Sequence, residues 1–253
     1  MGRAAGDERG YRIGVLNMRG KVVEELPKFP SVTTIIGDTD GTKTDILLRW
    51  ALNVNAQGVA DLLERGSIKQ GSTARTIKHY LKRFKVDNFA NRDESAERGT
   101  HIHNWAEKLL LGTATYDDVL EDTPAKWRGY ADALIKWHQQ YANEVVAVER
   151  VMVSLTHGYA GTVDLIDQTP DGRIRVCDFK TSSRIYDTHF IQGDAYALAW
   201  VEMCERRGNP MPVNEVVVIR FASDGSYEEQ SASPEGGRVF LKMLALFNAR
   251  NGV

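Results

Sequence analysis

Pro170-Asp171-Gly172 lies between two strand-like runs, Tyr159–Asp167 and Arg173–Thr181, and constrains the fold more than any other stretch of the chain. Proline suits the first central position of a type I turn, and glycine the left-handed position that closes a three-residue hairpin loop. With that loop Thr169 pairs with Arg173, and counting back along both strands sets Asp164 directly opposite Asp178. Directly opposed residues on one face hold their Cβ atoms about 4.5–5.5 Å apart. Period-two alternation adds Lys180 to the face of Asp178 and sends Cys177 and Phe179 to the other. A loop of two or four residues would turn Asp178 away from Asp164, so the arrangement depends on the turn.

Two carboxylates side by side on a sheet repel each other unless a cation, a shared proton or a lysine compensates. A divalent ion between two acids, with a lysine two residues on, is a hydrolytic arrangement. The ion polarises a phosphoryl oxygen, and the lysine orients or activates the attacking water. The competing interpretation is an exposed face whose Asp, Asp and Lys form a surface salt bridge. Val163, Leu165, Ile174, Val176 and Phe179 weigh against it, because they make these strands apolar enough to be central, where charges are rarely carried.

The surrounding pattern predicts an α/β (α+β) fold. Tyr11–Leu16 and Lys21–Glu25 read as a hairpin, and helical rhythm marks Asp45–Arg65, residues 72–85, Glu94–Leu111 and Pro124–Tyr141. Strands follow at Val145–Leu155, Tyr159–Asp167 and Arg173–Thr181. Then come a helix over Asp187–Arg207, a strand over Glu215–Phe221, a turn over Ser223–Ser226 and a closing helix over Arg238–Arg250. This order predicts a mixed central sheet flanked by helices, with residues 91–253 as the core and 1–90 as a hairpin and helical N-terminal elaboration, all in one compact unit. Five Trp serve as core anchors. No signal peptide or membrane-length apolar run is present, so a soluble cytoplasmic protein is expected. Gly37–Thr44 lacks the glycine that a phosphate-binding P-loop needs before its lysine, which leaves ATP-driven translocation unsupported.

Asp164 followed by Asp178-Phe179-Lys180 resembles the signature of the PD-(D/E)XK nuclease superfamily, whose fold is a restriction-endonuclease-like core. Gln192-Gly-Asp-Ala-Tyr196 resembles the Gln-x-x-x-Tyr motif of its RecB-type branch. Arg98-Gly-Thr-His-Ile-His103 resembles that branch's helix motif, with His103 rather than His101 in the histidine position. The resemblance covers about half the chain and implies a metal-dependent DNA nuclease. His103, Asp164, Asp178 and the Phe179 backbone carbonyl would hold Mg²⁺ or Mn²⁺, and Lys180 would serve the water. Gln192 and Tyr196, four apart on one helix face, would position the lysine and the DNA backbone. Glu149 fits an acid that relatives carry near the metal, and fits an edge salt bridge equally well. Iron–sulfur relatives use four cysteines; this chain has two, Cys177 and Cys204, and no such cluster is expected.

The chain as a whole carries 32 Lys and Arg against 34 Asp and Glu, which excludes a globally basic coat but not a basic patch. Residues 65–85 hold seven Lys or Arg and no acid. Arg75, Lys78, Lys82 and Lys85 share one helical stripe, Ile77, Leu81 and Phe84 the opposite one, and Arg83 and His79–Tyr80 adjoin them. A solvated charged face explains such a stripe; beside a nuclease hairpin, contact with DNA phosphates explains it better. The resemblance implies an exonuclease on DNA ends or single strands, in repair, recombination or phage DNA metabolism. Its alternatives are a non-cleaving DNA-binding or assembly subunit and a structure-specific endonuclease.

Overall fold

The computed structural model describes residues 10–12, 14–16, 22–25, 28–40, 55–69, 72–85 and 88–252. The chain begins with β1 (Gly10–Tyr11), β2 (Gly14–Leu16), β3 (Val22–Glu25), β4 (Phe29–Pro30) and α1 (Val32–Thr39), then α2 (55–64), α3 (Ala74–Arg83) and α4 (Asn88–Leu110). Next come α5 (Tyr116–Asp122), a 3₁₀ turn (Ala125–Trp127), α6 (Arg128–Gln140), β5 (Glu144–Ser154), β6 (Tyr159–Gln168) and β7 (Ile174–Lys180). The end of the chain supplies α7 (Asp187–Arg206), β8 (Glu215–Phe221), β9 (Tyr227–Ala232) and α8 (Arg238–Asn251).

The chain divides into two units, Met1–Thr39 with Ile102–Val253, and Asp40–His101. The boundary falls inside α4 rather than near residue 90. The N-terminal elements go with the sheet because α1 packs on α7 and α8, and β1 and β4 on β6. In the smaller unit Leu62, Ile68 and Leu81 form a core of their own. The N-terminal half of the helix expected over Asp45–Arg65 lies outside the described residues.

β5 to β9 form one five-stranded sheet in sequence order. Pairing is antiparallel except between β7 and β8, which run parallel and are joined by the α7 crossover such pairs require. The hairpin has the register its turn predicts. Thr169 N–H donates to the Arg173 carbonyl at 2.9 Å, Gly172 adopts φ 87°, and Leu165 faces Cys177. Side chains from the sheet fill two cores. Val163, Ile166, Ile174, Val176 and Val216 meet α1, α7 and α8 on one side, through Ile35, Tyr196, Trp200 and Phe240. Leu165, Cys177, Phe179, Val217 and Ile219 meet α4, α5 and α6 on the other, through Ile102, Val119, Leu134 and Trp137.

Several local readings change. Tyr11 pairs with Phe29 rather than extending the β2–β3 hairpin. The run after Pro30, given no element from the sequence, forms α1: Ser31 Oγ accepts the Thr34 N–H at 3.0 Å, a helix N-cap that outweighs the β preference of Val, Thr and Ile. α5 and the edge strand β9 were not foreseen, the first short and opened by a Thr115–Asp118 capping box, the second polar and largely exposed. Phe84 does not join the packed face of α3; it is 41% exposed and stacks on Tyr80. Among the described residues no helix is long and apolar enough to cross a membrane.

Candidate active site

The site forms where β6 and β7 part. Hydrogen-bonded pairs alternate along an antiparallel ladder, so the series from Thr169–Arg173 would continue to Val163–Phe179. It stops at Leu165–Cys177. Beyond that point Phe179 N–H turns to the Asp164 carboxylate, donating to Oδ2 at 2.6 Å, while β7 stays paired with β8 as far as Lys180. The short bond from a backbone donor to an ionised acceptor compensates for the lost ladder contact.

Strand alternation also changes phase here. Tyr159 and Val163 lie in the core beneath α7, yet Leu165, which should follow them, lies in the opposite core. On β5, Val148 faces Leu165 and Arg150 faces Val163, so Glu149 falls opposite Asp164, and it adopts φ 44°. A non-glycine residue held in that region costs on the order of 1–3 kcal/mol and persists only when its surroundings enforce it. The irregularity places the two acids together: His103, Glu149 and Asp164 each present a ligand atom, all within 4.8 Å of one another. His103 Nδ1 lies 3.3 Å from Asp164 Oδ1.

Asp178 stands beside this group with 1% of its surface exposed. Gln192 Nε2 donates to its Oδ1 at 3.2 Å and to the Tyr196 hydroxyl at 3.1 Å, the pairing that four-residue spacing on α7 implies. Lys180 forms an ion pair with Asp178 Oδ2, a buried oxygen that accepts no hydrogen bond of ordinary geometry. Two glycines allow these contacts, and neither was singled out from the sequence. A Cβ on Gly161 would come within 2.5 Å of Tyr196 Cε1, and one on Gly193 within 2.2 Å of Val216 Cγ1. Their signal was present in Gly161-Thr-Val-Asp164 and Gln192-Gly193, but the neighbours that demand a missing side chain are remote in sequence.

Burial drives the electrostatics. It pushes Asp178 above the usual carboxylate range, and the Asp164 charge adds to this while Lys180 opposes it. Burial would also raise Asp164, but His103 and Lys180 hold it below its ordinary value. Burial alone would lower His103; the Asp164 carboxylate reverses that and raises it. Burial likewise drives the Tyr196 phenol far up, so it stays protonated.

The donor set fits a hard or borderline divalent cation. Two carboxylates and an imidazole converge, Asp178 stands beside them paired with Lys180, and Asp178 Oδ2 retains unspent acceptor capacity. Arg75, Lys78, Lys82, Arg83 and Lys85 are exposed on α3 and the turn after it, in the smaller unit. His101 is half-buried in that unit.

A mixed five-stranded sheet with helices on both faces, whose central strands part around Asp164, Asp178 and Lys180, is a restriction-endonuclease-like fold. The sequence profile of the PD-(D/E)XK nuclease superfamily matches residues 76–236, and the chain belongs to that superfamily. Among solved structures, a candidate exonuclease of Eubacterium rectale is 11% identical with a TM-score of 0.38, covering 61% of this chain and 68% of its own. SSO0001 is 13% identical with a TM-score of 0.30, covering 81% and 85%. At such scores neither similarity bears on activity. No curated protein matches the chain.

Proposed function

We propose that the chain is a divalent-metal-dependent deoxyribonuclease of the RecB-type branch, acting as an exonuclease on DNA ends or single strands in repair, recombination or phage DNA metabolism. The observation that carries this reading is the convergence of His103, Glu149 and Asp164 beside the buried Asp178–Lys180 pair. Sheets do not bury such a set for stability, because each uncompensated charge costs several kcal/mol, on the order of a whole domain's margin when summed. A metal bound by Asp164, Asp178, His103 and Glu149, with the Phe179 carbonyl, would supply Lewis-acid polarisation of the scissile phosphoryl oxygen. Mg²⁺ suits the oxygen ligands and Mn²⁺ also suits the imidazole.

The chain's own groups divide the remaining work. The Phe179 N–H fixes the rotamer of Asp164, and Tyr196 fixes Gln192, which fixes Asp178. Lys180 holds its ammonium at the carboxylate edge, where it orients the attacking water and neutralises developing charge on the phosphate. The exposed cations of α3 hold the DNA backbone through phosphates.

Digestion of end-labelled linear and circular DNA, single- and double-stranded, with Mg²⁺ or Mn²⁺ tests the proposal. Linear DNA is expected to shorten from its ends, and Asp178→Ala and Lys180→Ala to abolish this while the fold is kept. Cleavage of circles would make the protein an endonuclease. DNA binding without any cleavage under either metal would make it a non-cleaving subunit.

A further inference from the structure

Tyr11 of β1 sets its side chain against β5 and β6. Its ring packs with Val153 and Ala160, and its hydroxyl lies 3.0 Å from the Thr162 hydroxyl. Tyr11 is 6% exposed and Thr162 half-buried. A hydrogen bond between two hydroxyls uses one hydrogen and leaves the other free to donate. Thr162 precedes Asp164 by two residues on β6, about 6.6 Å along a strand. Burial drives the Tyr196 phenol up, and Asp178, Asp164 and Tyr11 add to this. Neither hydroxyl has a part in the roles assigned above.

A nucleic-acid strand with one phosphate at Asp164 offers the next at about this remove. Side-chain hydroxyls are common partners of phosphate oxygens, and they fix register without reading sequence. A neutral donor is also what this place can accommodate, since a further cation would compete with a metal for the carboxylates and a further acid would repel DNA. We propose that Tyr11 and Thr162 form a neutral subsite for the phosphodiester adjoining the scissile one. The proposal rests on the nuclease reading and extends it from the metal cluster to the path of the bound strand.

The test compares wild type, Tyr11→Phe and Thr162→Val on a short single-stranded oligonucleotide and on versions with a methylphosphonate at each linkage flanking the first scissile one. Both substitutions keep shape, so thermal unfolding is measured to show that packing is intact. A lost hydrogen bond to a charged oxygen is expected to lower kcat/KM about ten-fold on natural DNA. One of the methylphosphonates should slow wild type by a similar factor and the variants no further. Loss factors that multiply, or variants that match wild type, would overturn the subsite. Fluorescence anisotropy of the same oligonucleotides in chelator separates this from the nuclease reading. If wild type never cleaves but its affinity falls with one of these methylphosphonates while the variants' does not, the hydroxyl pair binds a backbone phosphate and the catalytic reading alone fails. Equal affinity loss in all three proteins removes the subsite.

Discussion

Asp178 carries the sharpest conflict in the molecule: it is buried, faces the charge of Asp164, and is relieved mainly by Lys180. Its two obvious substitutions should therefore move stability in opposite directions. Asp178→Asn removes a costly buried charge and should raise the unfolding temperature in chelator by roughly 2–4 °C, about 1 kcal/mol, while cleavage disappears. Lys180→Ala leaves the carboxylate uncompensated and should lower it by at least as much, with cleavage also lost. Calorimetry on both variants checks this, and a destabilised Asp178→Asn would mean that the charge is structural. The same burial sets a pH dependence. Protons compete for Asp178 above the usual carboxylate range, so metal affinity should strengthen as pH rises from mildly acidic to neutral and be accompanied by proton release. Titration calorimetry of Mn²⁺ in two buffers of different ionisation enthalpy would show it, and a flat affinity would contradict it. Asp178 and Lys180 were legible because a turn and a two-residue period fixed their side; Asp164 was placed opposite Asp178 by the same count, yet the ladder ends at Leu165–Cys177, one pair short of it. Glu149 was open between a metal acid and an edge salt bridge, because its place depends on a positive φ that no local signal announces.

At the scale of elements, the site depends on how closely α7 and β6 approach each other. Gly161 lies against the Tyr196 ring, so Gly161→Ala must displace the ring that fixes Gln192. Overpacking of this kind costs roughly 1–3 kcal/mol, and cleavage should fall with it. Gly161→Ala combined with Tyr196→Leu, which clears the space, should recover stability but not activity. Recovery of both would separate Gly161 from the tyrosine contact. The basic stripe on α3 makes a different prediction. Reversing Arg75, Lys78, Lys82 and Lys85 to Glu should weaken DNA binding and flatten its dependence on salt, leaving unfolding nearly unchanged because all four are exposed. Unaltered salt slopes would remove α3 from the interface. The long elements β5 to β8 and α7 were legible from period and composition. α1, α5 and β9 were not, since a serine cap, a short capping box and a polar edge strand override or lack a hydrophobic period.

Over the whole molecule, order along the chain foretold the sheet because helix, hairpin, crossover helix and strand admit few arrangements. The seating of β1, β4 and α1 against the sheet and its helices was not foretold, since it is made by contacts such as Tyr11 with Thr162 that join distant parts of the sequence. The sheet-bearing unit brings Glu149 of β5 and Asp164 of β6 together, with Asp178 of β7 beside them, so an ion held by all three would tie three strands together in the folded state alone. A ligand of the native state stabilises by about 2.7 kcal/mol at one hundred times its dissociation constant. For a chain of this size that corresponds to roughly 5–10 °C in unfolding temperature. Mn²⁺ added to metal-free protein should therefore shift wild type by several degrees and Asp164→Ala by much less, because that substitution removes the acid touching both His103 and the Phe179 N–H. Ca²⁺, which also takes oxygen ligands but suits an imidazole poorly, should give the smaller shift of the two in wild type. Equal shifts in wild type and Asp164→Ala would place the ion elsewhere, and with it the chemistry assigned to the parting of β6 and β7.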